Sequence, residues 1–280
     1  LHHVGPGIRA AARRVLGNVD KREGLVTCRT LSGNAGSHRW SSNAMDVIGF
    51  GRIDAYVNAW AWRGLKNAAA LCTLLDDDAL ASQCTEAAKA IKDNYTQQLL
   101  NPDTGWIAGW RSRDGHLHDY GFLWVNGVAC AFGVVDRAAA HRALQELEAE
   151  REAVFPESGY PGLPLNLRPI APEDHMLPRL GYRTIPTFEH YTDGALSPVF
   201  AGYYLRALSI NRLDDAANRL ATWTGADSGY EGTFGPAFAP LYAVAVVHGA
   251  VEPPRPEWWL DLSTTDVPAP GRLHDKGKTL

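Results

Sequence analysis

Most of the residues in this 280-residue chain that could do chemistry lie in four connecting stretches. The first, Trp40 to Arg52, holds Asp46 among apolar neighbours just ahead of a helix-patterned apolar segment. Such surroundings raise a carboxyl's pKa, as a general acid requires near neutral pH. Capping a helix or pairing with Arg52 are the plainer uses for Asp46. The last stretch, Thr224 to Pro236, sets Glu231 among small residues. Two carboxylates facing each other across a pocket are the minimal apparatus for breaking a glycosidic bond. A surface turn is the plainer place for Glu231.

Between them lie two further stretches. Asn101-Pro102-Asp103-Thr104-Gly105-Trp106-Ile107-Ala108-Gly109-Trp110 is a strong turn flanked by two indoles. Trp106 and Trp110 are either a stacking platform for a sugar ring or the core-packed rungs of a short hairpin. His116, His118 and Asp119 follow closely, but without a further ligand at a telling spacing no metal site is expected. Phe188-Glu189-His190-Tyr191-Thr192-Asp193-Gly194 crowds polar groups before an apolar segment. There Asp193 could cap a helix, and Gly194 would let the backbone approach a ligand closely.

The elements that must position these stretches are helical. Apolar residues recur at helical spacing over Ile53–Leu75, and Asp76-Asp77-Asp78 offers a cap for a more polar helix over Ala79–Leu100. Phe122–Val135 is apolar on nearly all sides and Arg137–Glu150 is charged; Ser197–Ile210 and Leu213–Thr222 repeat that order. Phe238–Val247 begins a fourth apolar helix. Helices apolar all round belong inside and two-faced ones outside, so the repetition predicts a ring of helical hairpins. The long connections before the inner helices would gather at one end, where function sits on a rigid scaffold. The expected division is a toroid over residues 1–252 and a Pro-rich irregular tail over 253–280.

Composition sets the outer bounds. A 45% hydrophobic and 21% charged chain is an ordinary globular sequence. A net charge of −4 and a pI near 6.2 recommend neither nucleic acid nor an anionic membrane as partner. No apolar run reaches the roughly 18 residues of a membrane span. The four cysteines show no metal spacing and read as buried free thiols. The opening Leu1-His2-His3, without methionine or a signal-peptide pattern, suggests a trimmed or partial polypeptide and favours the cytoplasm.

The stretch MDVIGFGRIDAYVNAWAWRGLKNAAALCTLLDDDALASQCTEAAKAIKDNYTQQLLNPDTGW resembles the six-hairpin glycosidases, among them processing α-glucosidases, neutral/alkaline invertases and glycogen-debranching glucosidases. HYTDGALSPVFAGYYLRALSINRLDDAANRL is similar to their Tyr-x-Asn-Gly-Gly-x-Trp-Pro motif and the hairpin after it, with Asp193 in place of Asn and Ser197 in place of Trp. The resemblance implies an all-α fold, an (α/α) toroid of helical hairpins that is an incomplete or C-terminal portion of an (α/α)6 barrel. It implies an inverting hydrolase with Asp46 as general acid and Glu231 as general base, Glu189 standing in reserve. Asn58, Trp106, Trp110, Glu189, His190, Tyr191 and Asp193 would contact the sugar. No cofactor is implied, the partner is a carbohydrate, and further hairpins could lie in a partner chain or a missing segment. Two alternatives share the scaffold: an N-acyl sugar epimerase working through His190 and His248, and a non-catalytic carbohydrate-binding toroid.

Overall fold

The computed structural model describes residues 4–28, 42–43, 45, 47–156, 163–181, 183–190, 192–195 and 198–226. Asp46, Tyr191, Glu231, His248 and the whole of 227–280 lie outside the described residues. Within them the chain is mostly helical, with seven α-helices and one small sheet. The helices are α1 (Gly5–Leu16), α2 (Ala55–Leu74), α3 (Asp78–Leu99), α4 (Leu123–Phe132), α5 (Arg137–Val154), α6 (Pro198–Ile210) and α7 (Asp214–Ala226). Six of them stand where apolar periodicity places them, and α1 is an addition. No helix among the described residues is long and apolar enough to cross a membrane.

Burial sorts the helices into two kinds. All ten residues of α4 are buried, and α4 packs against both α2 and α6. In α3 the buried positions Leu80, Cys84, Ala88, Ile91, Tyr95 and Leu99 form one stripe at helical spacing, pressed against α2. α5 likewise buries Ala140, Ala143, Leu144 and Leu147 and exposes its other side. α2, α4 and α6, joined through the wholly buried α4, form the inner group by their contacts, and α1, α3, α5 and α7 flank them. The α4–α6 crossing is tight because a Cβ on Gly127 would lie only 2.7 Å from Tyr204 Cα. A buried group fastens α5 to α6: Tyr204 donates to Glu148 (2.8 Å), which also receives the guanidinium of the fully enclosed Arg151 (3.0 Å).

Two loops entering inner helices are copies of one another in backbone. After α1, Val19 bridges Val26; after α3, Leu100 bridges Ile107. In the first loop Asp20 N–H donates to Leu25 and Gly24 N–H to Asp20, each at 2.8 Å; in the second Asn101 donates to Trp106 and Gly105 to Asn101, again at 2.8 Å. Gly24 and Gly105 both take positive φ, 65° and 73°, a conformation that side chains rarely adopt. An asparagine in the first turn of the next inner helix closes each copy. Asn58 accepts from Val26 N–H (2.7 Å) and donates to the carbonyls of Val26 and Asp54. Asn126 accepts from Ile107 N–H (2.9 Å) and donates to the carbonyls of Ile107 and Phe122. The repeating unit is thus outer helix, seven-residue loop, a longer connection and inner helix, and α1 is the outer member of the first unit.

The sheet consists of three strands of two residues, β1 (Ile53–Asp54), β2 (Trp110–Arg111) and β3 (Leu117–His118). β1 runs antiparallel to β2 with Asp54 opposite Trp110, and β2 runs antiparallel to β3 with Trp110 opposite His118. It joins the connection before α2 to the connection before α4.

Candidate functional site

The three connections that precede α2, α4 and α6 are laced into one polar body. Its hub is Asp174, which is 2% exposed. Its carboxylate accepts from Tyr120 Oη (2.6 Å) and lies 2.5 Å from His118 Nδ1. Its backbone carbonyl accepts from Gly49 N–H (2.6 Å), His175 bridges Ile48, and Met176 N–H donates to Val47 (2.7 Å). Residues 47–49, 118–120 and 174–176 are thereby fixed against each other. Met45 and Val47, on either side of Asp46, are buried.

From the hub a hydrogen-bond chain runs toward solvent. His118 Nε2 meets Ser112 Oγ at 2.9 Å, and Ser112 donates to Asp114 Oδ1 at 2.5 Å. That hydroxyl holds the Asp114 carboxyl below the usual range, helped by the His116 N–H. The His118 ring thus bridges the Asp174 carboxylate and the Ser112 hydroxyl through its two nitrogens. The Ser–His–Asp order resembles a nucleophilic triad, but Ser112 is fully enclosed and presents no oxygen to a substrate.

A second buried group surrounds Asp193. Asn166 Nδ2 donates to it at 2.8 Å, Ile170 N–H points at both oxygens (3.2 and 3.3 Å), and His175 Nε2 lies 3.8 Å away. Burial raises the Asp193 pKa against the pull of these donors. Burial likewise lowers that of His175, against the pull of the Asp193 carboxylate. Burial thus disfavours the charged form of each, the carboxylate of Asp193 and the imidazolium of His175. A third buried carboxyl, Asp54, caps α2; burial pushes it up to about 6 even though Ser42, Asn43 and Val57 N–H all donate to it.

The residues expected to meet a sugar are spread over different environments. Glu189 and His190 are exposed on a tight turn in which Glu189 takes φ 73° and His190 bridges Asp193. Asp193 is therefore within reach of this turn, with its carboxylate directed inward to Ile170 and Asn166. Asn58 is fully enclosed, and its amide is occupied by backbone as described above. Trp106 and Trp110 are 2% and 0% exposed, and each ring face is covered: Arg168 lies 4.6 Å over Trp106, and His118 stacks on Trp110 at 4.4 Å and 6°. Of the two uses open to these indoles, the structure shows the core-packed hairpin.

His116, His118 and Asp119 have separate duties. His116 sits edge-on to His118, and Asp119 accepts from Asn101 and Thr104. Among the described residues no group of three or more His, Cys, Asp or Glu could hold a metal. Arg52, a suggested partner for Asp46, pairs with Glu23. Cys72, Cys84 and Cys130 are buried thiols and Cys28 is a half-buried one, none of them in a disulfide.

The functional groups that sequence reasoning passes over are Asp54, Asp174 and His175. Asp54 has a local signal, since an Asp directly before an apolar helical run is a capping position. Asp174 and His175 have none, because their partners His118 and Asp193 are distant in sequence, His118 in the connection before α4 and Asp193 far along their own.

Comparison with known proteins adds the fold. No protein-family model matches the sequence, and no curated protein does. A GH78 family rhamnosidase of Bacillus sp. GL1 is similar in structure, with a TM-score of 0.51 and 14% identity over 87% of this chain and 23% of that one. An uncharacterized conserved protein from Thermus thermophilus aligns with a TM-score of 0.46 and 17% identity, covering 70% of this chain and 46% of that one. The chain spans less than half the length of either. At that identity the likeness to the rhamnosidase is one of fold.

Proposed function

We propose that this chain carries a catalytic portion of an inverting glycoside hydrolase. The observation that carries the reading is the interlocking of three connections at the N-terminal ends of α2, α4 and α6 through Asp174, on a fold shared with a rhamnosidase. In this reading α2, α4 and α6 are inner helices of an (α/α)6 ring within residues 1–252. Asp46, flanked by the buried Met45 and Val47, protonates the departing glycosidic oxygen. Glu231 activates water on the opposite face of the sugar, at the separation of roughly 6.5–9.5 Å that inversion requires. Glu189, His190, Tyr191 and Asp193 border the substrate.

The test is an NMR time course with the 280-residue chain and α- and β-linked rhamnosyl, glucosyl, mannosyl and galactosyl disaccharides. The first-formed product anomer should be opposite to that of the substrate. Asp46→Asn should lower the rate by at least about a hundredfold, the scale of a general acid. Retained anomeric configuration, or near-normal turnover in that variant, refutes the assignment.

A further inference from the structure

The carboxylate of Asp54 does more than start α2. A cap needs one oxygen, and Oδ1 supplies it by accepting from Val57 N–H (3.1 Å). Oδ2 serves the chain that leads in. It accepts from Ser42 Oγ (2.5 Å) and Asn43 Nδ2 (2.8 Å), twelve and eleven positions upstream. Ser, Thr or Asn would cap the helix as well, without placing an ionisable group at 2% exposure, where burial penalises its charge. A carboxylate, with acceptor sites on both oxygens, takes three donors at once, whereas an amide has a single oxygen to offer.

The segment so captured is the one that leads to Asp46. Asn43, held at Nδ2, accepts from Met45 N–H on its own Oδ1 (2.8 Å). The Met45 carbonyl accepts from Ile48 N–H (3.2 Å), and Ser42 N–H donates to Phe50 (3.1 Å). On the far side of position 46 the Val47 carbonyl accepts from Met176 N–H (2.7 Å), and Gly49 N–H donates to Asp174 (2.6 Å). The two chain neighbours of Asp46 are thus anchored independently. Met45 is tied through Asn43 to the cap of α2, and Val47 to the stretch 174–176.

We propose that Asp54, acting through Asn43, is a positioning residue for Asp46: it ties the backbone entering Asp46 to the first turn of an inner helix. It rests on the hydrolase reading for what Asp46 does there, and adds what holds it in place. With Val47 alone held, position 46 would keep one fixed neighbour instead of two. Misplacement of a reacting group by about 1 Å can cost as much as a hundredfold in rate, so a second anchor has a kinetic consequence.

The experiment compares Asn43→Ala and Asp54→Asn in the 280-residue chain, each alone and combined with Asp46→Asn, by amide exchange and by hydrolysis kinetics. Asn43→Ala removes the acceptor of Met45 N–H, whose exchange should quicken by about tenfold. Asp54→Asn, which frees the Asn43 amide, should move it in the same direction by less. Ile107 N–H, held by Asn126, should keep its protection in both and reports that the fold is intact. With a disaccharide that the parent cleaves, each variant should lower kcat by about tenfold and leave KM within about twofold. In the Asp46→Asn background neither should lower kcat further, because the group they position is gone; a merely structural residue costs the same in both backgrounds. If Asp54→Asn does not fold, Asn43→Ala carries the test alone, since it leaves Ser42 and Val57 on the carboxylate. Equal losses with and without Asp46, or unchanged Met45 exchange in Asn43→Ala, overturns the proposal. Inverting turnover by the parent beside unchanged Met45 exchange leaves the hydrolase reading standing and sinks this one. Quickened Met45 exchange in a chain that cleaves none of the disaccharides sinks the hydrolase reading and leaves the tether standing.

Discussion

Replacing Asp54 by Asn should make the protein's stability less dependent on pH, and the size of the change follows from where the carboxyl lies. Asp54 is 2% exposed; its Oδ2 accepts from Ser42 Oγ (2.5 Å) and Asn43 Nδ2 (2.8 Å), and its Oδ1 from Val57 N–H (3.1 Å). Burial outweighs these donors and lifts the pKa from 3.8 to about 6. The folded state therefore binds this proton more tightly than the unfolded chain. The associated stability is fully present below about pH 4 and is lost as the pH rises through 6. A shift of about two units, at about 1.4 kcal/mol each, corresponds to about 3 kcal/mol. Integration puts about 2 kcal/mol of that between about pH 4.5 and 7.5. Asparagine keeps an oxygen for Val57 and can donate to Ser42, while losing the Asn43 bond, worth about 1 kcal/mol. Urea unfolding of both proteins at about pH 4.5 and 7.5 supplies the measurement. Asp193, also raised, adds a slope of the same sign to both proteins, so the difference between them isolates Asp54. Parallel pH dependences for the two proteins would refute the reasoning.

Further outcomes follow from the packing. Asn126→Ala strips the buried N–H and carbonyl of Ile107 of their partner and should cost about 3 kcal/mol in denaturant unfolding. Asn126→Asp keeps only the acceptor half, so a variant as stable as the parent would show that the clamp is idle. Gly127→Ala sets a methyl against the backbone of Tyr204 and should cost about 1–3 kcal/mol by forcing α4 from α6; an unchanged thermal midpoint would mean that the helices separate freely.

How much was legible depended on the range of the signal. α2 to α7 declare themselves because a helix needs only its own periodicity, and the apolar-then-polar alternation of α4 and α5 shows which is enclosed. α1 is less plain: it opens Gly5-Pro6-Gly7 and then interleaves Arg9, Arg13 and Arg14 with alanines, and its place comes from Arg9 and Arg13 reaching Asp77. The strands are too short for alternation to show. In the site, the turn at 101–105 and the crowding of polar groups at 189–193 were visible as strings. What each indole does was not, because Arg168 and His118 decide it from elsewhere in the chain. The hub is wholly non-local, with Asp174 and His118 separated by 56 positions.

The paired asparagine clamps bear on how such a chain can change. Asn58 and Asn126 read only the N–H and C=O of the residue they hold, and never its side chain. The loops they close, Asp20-Lys21-Arg22-Glu23-Gly24-Leu25-Val26 and Asn101-Pro102-Asp103-Thr104-Gly105-Trp106-Ile107, agree only at the glycine and in the apolar character of the last two positions. Geometry of this kind is inherited through a handful of letters and leaves the rest free to drift. Two lineages can then keep one architecture while losing almost all recognisable text, as 14% identity beside a TM-score of 0.51 illustrates. It also makes the loops exchangeable parts: residues 20–26 grafted in place of 101–107 should still close on Asn126.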